Sequence, residues 1–309
     1  MNFNPITGLL GALGVLTAGY IVAWTKIVLG IRRNPPSTVT PATDIRMPDA
    51  KLIGTGFLTD FLDTLGIGSF AVTTSIYKFG RMVPDRIIPG TMNSGHTLPT
   101  ILEAFAYMAF IPVDVLTLVS MIVAAVLGAW LGAGVVARWS KRKVQIGMGL
   151  ALLGAAFLML MTQLNWFPGG GEAIGVRGVK FIIAIGGNFV LGALMTLGIG
   201  LYAPCMILVS LLGMNPTAAF PIMMGSCAFL MPFGSLRFIR ERAYSFRAAI
   251  GLTLGGLPGV LIAAYIVKSL PLYAVRWLVI VVVVYAAVMM LLSARAERAS
   301  AGAPLEAEA

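Results

Sequence analysis

The 309-residue sequence predicts an all-α polytopic membrane protein, with about seven transmembrane helices and two re-entrant broken-helix hairpins arranged as inverted internal repeats. Three observations lead there. The chain is 58% hydrophobic and only 11% charged, with a mean hydropathy of +0.92. It holds several apolar runs of the roughly 20 residues that a helix needs to cross a hydrocarbon core of about 30 Å. It also repeats itself: Leu65-Gly66-Ile67-Gly68 recurs 132 positions later as Leu197-Gly198-Ile199-Gly200, in a frame that also lays Pro84 on Pro216, Pro89 on Pro221 and Ser94 on Ser226. A duplicated half built around a glycine break is the pattern of secondary transporters with internal repeats.

Taken in order, the first apolar run spans residues 6–31. It lacks a basic leader and continues past signal-peptide length, so it reads as a retained transmembrane helix. The Pro/Thr stretch from Asn34 to Pro48 reads as a cytoplasmic linker, which makes residues 1–50 an N-terminal extra unit. Further long apolar runs fall at 87–110, 112–137, 144–163, 217–236, 245–267 and 271–293. Two remaining stretches, 52–79 and 181–212, are each interrupted near the middle by the Gly-x-Gly of the repeat. As one helix the second would be about 48 Å long, too long for a single untilted crossing. A hairpin of two half-helices fits better. Repeat 1 is therefore 51–165 and repeat 2 is 178–293, each a hairpin followed by three helices, and 294–309 is a disordered cytoplasmic tail.

Charge sets the topology. The net charge of +10 is not the footprint of nucleic-acid binding, because the basic residues sit in short clusters between apolar runs. If both broken stretches return to the side they entered from, one face collects most of the 22 lysines and arginines, from Arg32 and Arg33 through Arg138–Lys143 and Arg237–Arg247 to Arg298. A plain crossing by the first stretch would move the Arg138–Lys143 cluster to the opposite face, against the positive-inside bias. The hairpin arrangement places the N-terminus outside and the C-terminus in the cytoplasm. It also makes the second half enter from the opposite side, so the two hairpin tips can meet at the midplane.

The duplicated Leu-Gly-Ile-Gly segments, the turns at Val83-Pro84 and Asn215-Pro216, and the small-residue helices at Leu127–Gly134 and Gly255–Val260 resemble the TauE/SafE (TSUP) family of sulfite and organosulfur-anion exporters. The resemblance covers about residues 51–293. It implies a permease of the bacterial inner membrane whose substrate is a small sulfur oxyanion or sulfonate. The family often carries a richer glycine run in the first element, where this chain reads Gly66-Ile-Gly-Ser-Phe70.

Physically, the tips suit an anion. Ser69, Thr73, Thr74 and Ser75 follow Gly68, where the free N–H groups of a new helix carry about half a positive charge. The matching arm begins at Gly200, with Tyr202 and Pro204 following. Gly66, Gly68, Gly198 and Gly200 let a ligand approach the backbone, and the hydroxyls of Ser69, Thr73 and Tyr202 can donate to oxyanion oxygens. The repeat-related Ser94 and Ser226 join this candidate substrate site. The plainer reading is that the glycines only allow tight helix crossing and the hydroxyls bond backbone carbonyls.

Buried charge is expensive in a bilayer, so the charged residues within apolar stretches are candidates for coupling to a proton or cation. Asp60 and Asp63 share one helical face just before the first break, while the second repeat has Gly192 and Met195 there. Each aspartate could instead serve an ion pair or a cap. Asn93, His96, Thr100 and Glu103 form a polar stripe on the following helix. His96, the single histidine, joins Asp60, Asp63 and Glu103 as a coupling candidate, but a structural hydrogen-bond network is the plainer reading of a lone histidine. Cys205 and Cys227 lie in apolar segments, too few for a disulfide scaffold or a four-cysteine zinc site, and read as small buried hydrophobes.

Three function classes follow: a secondary transporter of small sulfur-containing anions working by alternating access, a passive anion channel, and a membrane-embedded enzyme. The last would need a dense His/Asp/Glu/Cys cluster. The expectation is therefore no enzyme, no catalytic residues, no metal and no cofactor, with the bilayer, the substrate anion and a coupling ion as partners; self-association into a homo-oligomer is left open. No G-x-x-x-x-G-K-[ST] motif is present, which argues against ATP-driven transport by this chain.

Overall fold

The computed structural model describes residues 5–65, 68–166, 170–196, 201–215, 218–266, 277, 280–281, 283–285 and 287–295. Among these, the chain forms α1 (Pro5–Arg33), α2 (Ala50–Thr64), α3 (Ser69–Gly80), a 3-10 turn (Asp85–Ile87), α4 (Ile88–Phe110), α5 (Val115–Val136), α6 (Lys141–Gln163), α7 (Val179–Met195), α8 (Tyr202–Leu211), α9 (Ala219–Arg240) and α10 (Phe246–Ile266). A further helical stretch, α11, lies within Val283–Arg295. Five helices among the described residues, α1, α5, α6, α9 and α10, are long and apolar enough to cross a membrane. This is an all-α, multi-pass membrane protein.

Local chemistry explains the helix ends. Asp49 caps α2 by accepting from the Leu52 N–H at 3.0 Å, and Asp114 caps α5 by accepting from the Thr117 N–H at 2.8 Å. Both broken stretches are broken where the repeat places the glycines: α2 stops at Thr64 and α3 restarts at Ser69, and α7 stops at Met195 and α8 restarts at Tyr202. Gly68 sits at φ +96°, a backbone conformation that strains any residue with a Cβ. Gly66, Gly198 and Gly200, the 271–276 part of the last apolar run and the 296–309 tail lie outside the described residues.

The duplication carries into three dimensions. The starts of α7, α8, α9 and α10 lie 129, 133, 131 and 131 positions after those of α2, α3, α4 and α5. The halves pack crosswise. α2 of the first repeat lies parallel to α10 of the second, with the Gly255 and Gly259 positions pressed on the backbone of Ile53 and Phe57. The equivalent helix of the second repeat, α7, lies parallel to α5 of the first, where Gly192 meets the Ala125 backbone and Gly132 would place a Cβ 2.8 Å from the Ala193 carbonyl oxygen. Small residues allow this backbone-to-backbone approach, the usual basis of tight helix association in lipid. The glycines of the two small-residue helices are thus packing devices. At the centre, α4 and α9 run antiparallel, joined by a 3.0 Å Thr97–Ser235 hydroxyl contact.

Both ends of the first broken pair lie at one end of the bundle. There Arg247, in the first turn of α10, donates to the Met47 carbonyl at 2.9 Å and to Asp49 at 3.3 Å, beside the start of α2. At the end of α3, Lys78 pairs with Asp85 at 2.5 Å and donates to Ser293 at 3.0 Å, and Gln145 of α6 donates to Asp85 at 2.8 Å. Arg138 and Glu241, 3.0 Å apart, join the ends of α5 and α9 on the same side. The second broken pair mirrors this at the opposite end, where Lys180 donates to the Leu212 carbonyl at 2.9 Å and Arg177 forks onto Asp114 with two 2.8 Å bonds. The Arg177 guanidinium holds the Asp114 carboxyl well below the usual carboxylate range.

The linker after α1 is docked against the α9–α10 connection: Phe246 N–H donates to the Pro41 carbonyl at 3.0 Å. α1 is peripheral, with 11% of its most apolar window buried against 78% for α9. Its Tyr20 and Trp24 pack with Ala42, Tyr244 and Phe246. Leu127, Leu131 and Val135 of α5, Ile182 of α7 and Leu261 of α10 point outward as a lipid-facing apolar coat.

Candidate functional site

The first hairpin builds a buried polar cluster. Asp60 and Asp63 lie one turn apart near the end of α2, and both are essentially inaccessible. His96 of α4 stands between α2 and α3: Nδ1 is 2.7 Å from Asp60 Oδ1 and Nε2 is 2.9 Å from Thr73 Oγ1. One imidazole therefore joins both arms of the hairpin to the central helix, and the Phe70 ring lies 5.7 Å from it. Pro99, one turn after His96, has no N–H and frees the Gly95 carbonyl, which accepts from Thr253 Oγ1 of α10 at 2.7 Å. Asp60 Oδ2 is buried beside Gly256, with no hydrogen-bond partner among the described residues.

Across the break, Asp63 occupies the N-terminus of α3. Its Oδ1 accepts from the Ser69 N–H at 2.8 Å and its Oδ2 from the Ser69 hydroxyl at 3.0 Å. The first donors of the half-helix, expected to meet an external anion, are met here by the chain's own carboxylate. Thr64, the last residue of α2, brings in Glu103: its Oγ1 lies 2.7 Å from Glu103 Oε1, and the Tyr107 hydroxyl donates to the Thr64 carbonyl at 2.9 Å.

The second hairpin has a different lining. At the positions of Asp60 and Asp63 it carries Gly192 and Met195. Cys227 of α9 lies 3.7 Å from Met195 sulfur to sulfur, and Cys205 in α8 is also fully buried. Among its described residues it keeps a polar anchor to the first half: Asn188 of α7 donates to the Met121 carbonyl at 2.7 Å and to the Ser226 hydroxyl at 2.9 Å.

The sequence-predicted residues thus separate. Asp60, His96 and Thr73 form one connected chain, and Asp63, Ser69 and Glu103 gather around the first break. Ser94 is fully buried, and its carbonyl accepts from Tyr20 at 3.2 Å while its hydroxyl has no hydrogen-bond partner among the described residues. Ser226 bonds Asn188 and sits in the second half. Thr74 and Ser75 bond carbonyls of their own helix, Phe70 and Ala71, at 2.8 Å. Tyr202 opens α8, and its side chain lies outside the described residues. Sequence reasoning missed Thr64 and Asn188. An amide inside the apolar run of α7 was the available signal for Asn188, whereas Thr64 is ordinary until the fold brings Glu103 beside it.

Among the described residues no group of three or more His, Cys, Asp or Glu side chains is arranged to hold a metal ion. Comparison with family models, curated proteins and solved structures gives no match to this chain.

Proposed function

We propose that the chain is a secondary transporter of small sulfur-containing anions such as sulfite, sulfonates or thiosulfate, working by alternating access. On this reading the α2–α3 and α7–α8 pairs are re-entrant hairpins of inverted repeats, seven other helices cross the membrane, and the substrate sits between the two tips. The observation that carries it is the crosswise duplicated fold, in which each half contributes one helix broken at the same place. Such pairs of discontinuous helices form midplane sites in transporters built from inverted repeats.

The α3 N-terminus supports the anion part. Ser69 presents a backbone N–H and a hydroxyl to a carboxylate, a two-donor cradle of the kind an oxyanion requires. A substrate anion at that place competes with Asp63, and protonation of Asp63 would release the cradle. This ties anion occupancy to a proton, which favours a coupled transporter over a passive channel. The sulfur-anion class comes from the resemblance to TauE/SafE exporters.

The test is flux of labelled sulfite in proteoliposomes, with thiosulfate, a sulfonate and chloride as competitors. Saturable flux inhibited by the sulfur anions and spared by chloride is the expected result. Unsaturable flux open to chloride would replace the transporter with a channel.

A further inference from the structure

We propose that Arg237 and Trp130 form a binding site for the phosphate of an anionic phospholipid, in the groove between the ends of α5 and α9. Transport chemistry plays no part in it; the site belongs to the lipid-facing surface.

The residues of the groove explain its shape. Arg237 lies three residues before the last residue of α9, and its guanidinium carbon is 5.2 Å from the centre of the Trp130 ring on α5. Gly134, one turn after Trp130, lets the guanidinium lie against the α5 backbone: a Cβ there would stand 2.7 Å from Arg237 Nη2 and 2.8 Å from Nε. An aromatic face and a bare stretch of backbone together fix the orientation of the fork. Trp130 is 45% exposed, and Leu131 of α5 and Phe233, one turn before Arg237, are exposed beside the same groove, which therefore opens toward lipid.

Its charge is not balanced from within the chain. Among the described residues Arg237 Nε is buried without a hydrogen-bond partner, and no carboxylate pairs with the guanidinium. The nearest acid along the helix, Glu241, lies one turn on and is engaged by Arg138 at 3.0 and 3.3 Å. A guanidinium withdrawn from water calls for an anion. Its planar fork matches two phosphate oxygens with parallel bonds, which a compact ammonium cannot do.

Position selects the source of that phosphate. Tryptophan gathers at the level of the lipid headgroups, and at 1.5 Å per residue Arg237 stands about 4.5 Å inside the end of its helix. Basic pockets between helices at this depth suit phospholipid heads. Arg138 and Arg240, exposed at the same helix ends, add attraction at longer range. A headgroup held here touches α5 of the first half and α9 of the second, so it clamps a crossing between the two.

The test counts lipids bound to the full-length protein in detergent by native mass spectrometry. Phosphatidylglycerol is compared with phosphatidylcholine, whose choline neutralises its own phosphate, for wild type, Arg237→Gln, Gly134→Ala and Arg240→Gln. Wild type should prefer phosphatidylglycerol by about tenfold, and Arg237→Gln should lose most of that preference. Gly134→Ala is the sharper variant, because it keeps every charge, displaces the guanidinium from α5 and should also lower the preference. Arg240→Gln should retain most of it. An unchanged preference in Gly134→Ala, or equal losses in Arg237→Gln and Arg240→Gln, would show a diffuse basic surface and overturn the site. Inorganic phosphate added at the lipid's concentration should leave the bound lipid in place; displacement would make soluble phosphate the ligand and overturn the lipid assignment. Melting temperatures without added lipid, equal to wild type, separate lost binding from lost folding.

Discussion

The two hairpins have the same frame and opposite chemistry. Each is a helix broken at a glycine pair, with its first arm packed in parallel on a helix of the other repeat. The first is filled with Asp60, Asp63, Thr64, Ser69, Thr73, His96 and Glu103, while the second keeps Thr196 at the place of Thr64 but has Gly192, Met195, Cys205 and Cys227 in corresponding or neighbouring places. On the transporter reading, duplication supplies two tips that a rocking motion can exchange, and among the described residues the carboxyls and the imidazole gather at one of them. A symmetric pair of charged hairpins would bury twice as many carboxyls, each costing several kcal/mol unless neutralised. On the transporter reading the asymmetry places coupling in repeat 1, while the described residues of the second hairpin carry the Asn188–Ser226 anchor.

The largest expected effect comes from breaking the polar half. His96→Ala leaves the buried Asp60 carboxyl and the Thr73 hydroxyl without their imidazole partner, and truncating one partner of a buried pair costs about 3–5 kcal/mol. Asn188→Ala, the corresponding insult to the second half, removes neutral hydrogen bonds and should cost only about 1 kcal/mol. Thermal unfolding of the two variants in the same lipid measures the contrast; equal losses would show that the halves are held by similar forces. Next in size is the shared crossing. Gly192→Leu forces a side chain into the Ala125 backbone and should destabilise by about 1–3 kcal/mol or more. The same assay on Gly255→Leu should give a comparable loss, because that crossing is common to both halves.

The smallest effect lies outside the membrane. Arg177→Gln removes the guanidinium that holds Asp114 below the usual carboxylate range. A carboxyl depressed in the folded state contributes stability above its unfolded value of about 3.9, and that contribution is lost as pH falls through the folded value. The variant should thus melt slightly lower than wild type at neutral pH, with the difference shrinking in acid. The pair is solvent-exposed, so high salt should shrink it too.

Much of this was legible in the sequence. The 132-residue frame gave the positions of both helix breaks, because glycines and prolines act locally and their consequences survive without tertiary information. The crosswise pairing was not legible: nothing in the pattern of Gly255, Gly259 and Gly192 says which helix each will press against. The polar stripe of α4 announced a buried partner, yet only the fold shows that His96 reaches Asp60 and Thr73 together. For Ser69 and Thr73, reading the hydroxyls as free donors overlooked Asp63 and His96, which lie six positions before the first and 23 after the second. Competition between internal and external acceptors is a property of assembled geometry, and sequence spacing alone does not resolve it.

On the transporter reading, anion movement is tied to a proton through the first hairpin. The most direct measurement is labelled-sulfite uptake into proteoliposomes across imposed pH gradients, for wild type and for Asp63→Asn. Wild type should show saturable uptake that rises with the gradient, and Asp63→Asn, whose α3 N-terminus no longer holds a charged carboxylate, should show uptake indifferent to it. Uptake by Asp63→Asn that follows the gradient as wild type does would contradict the claim.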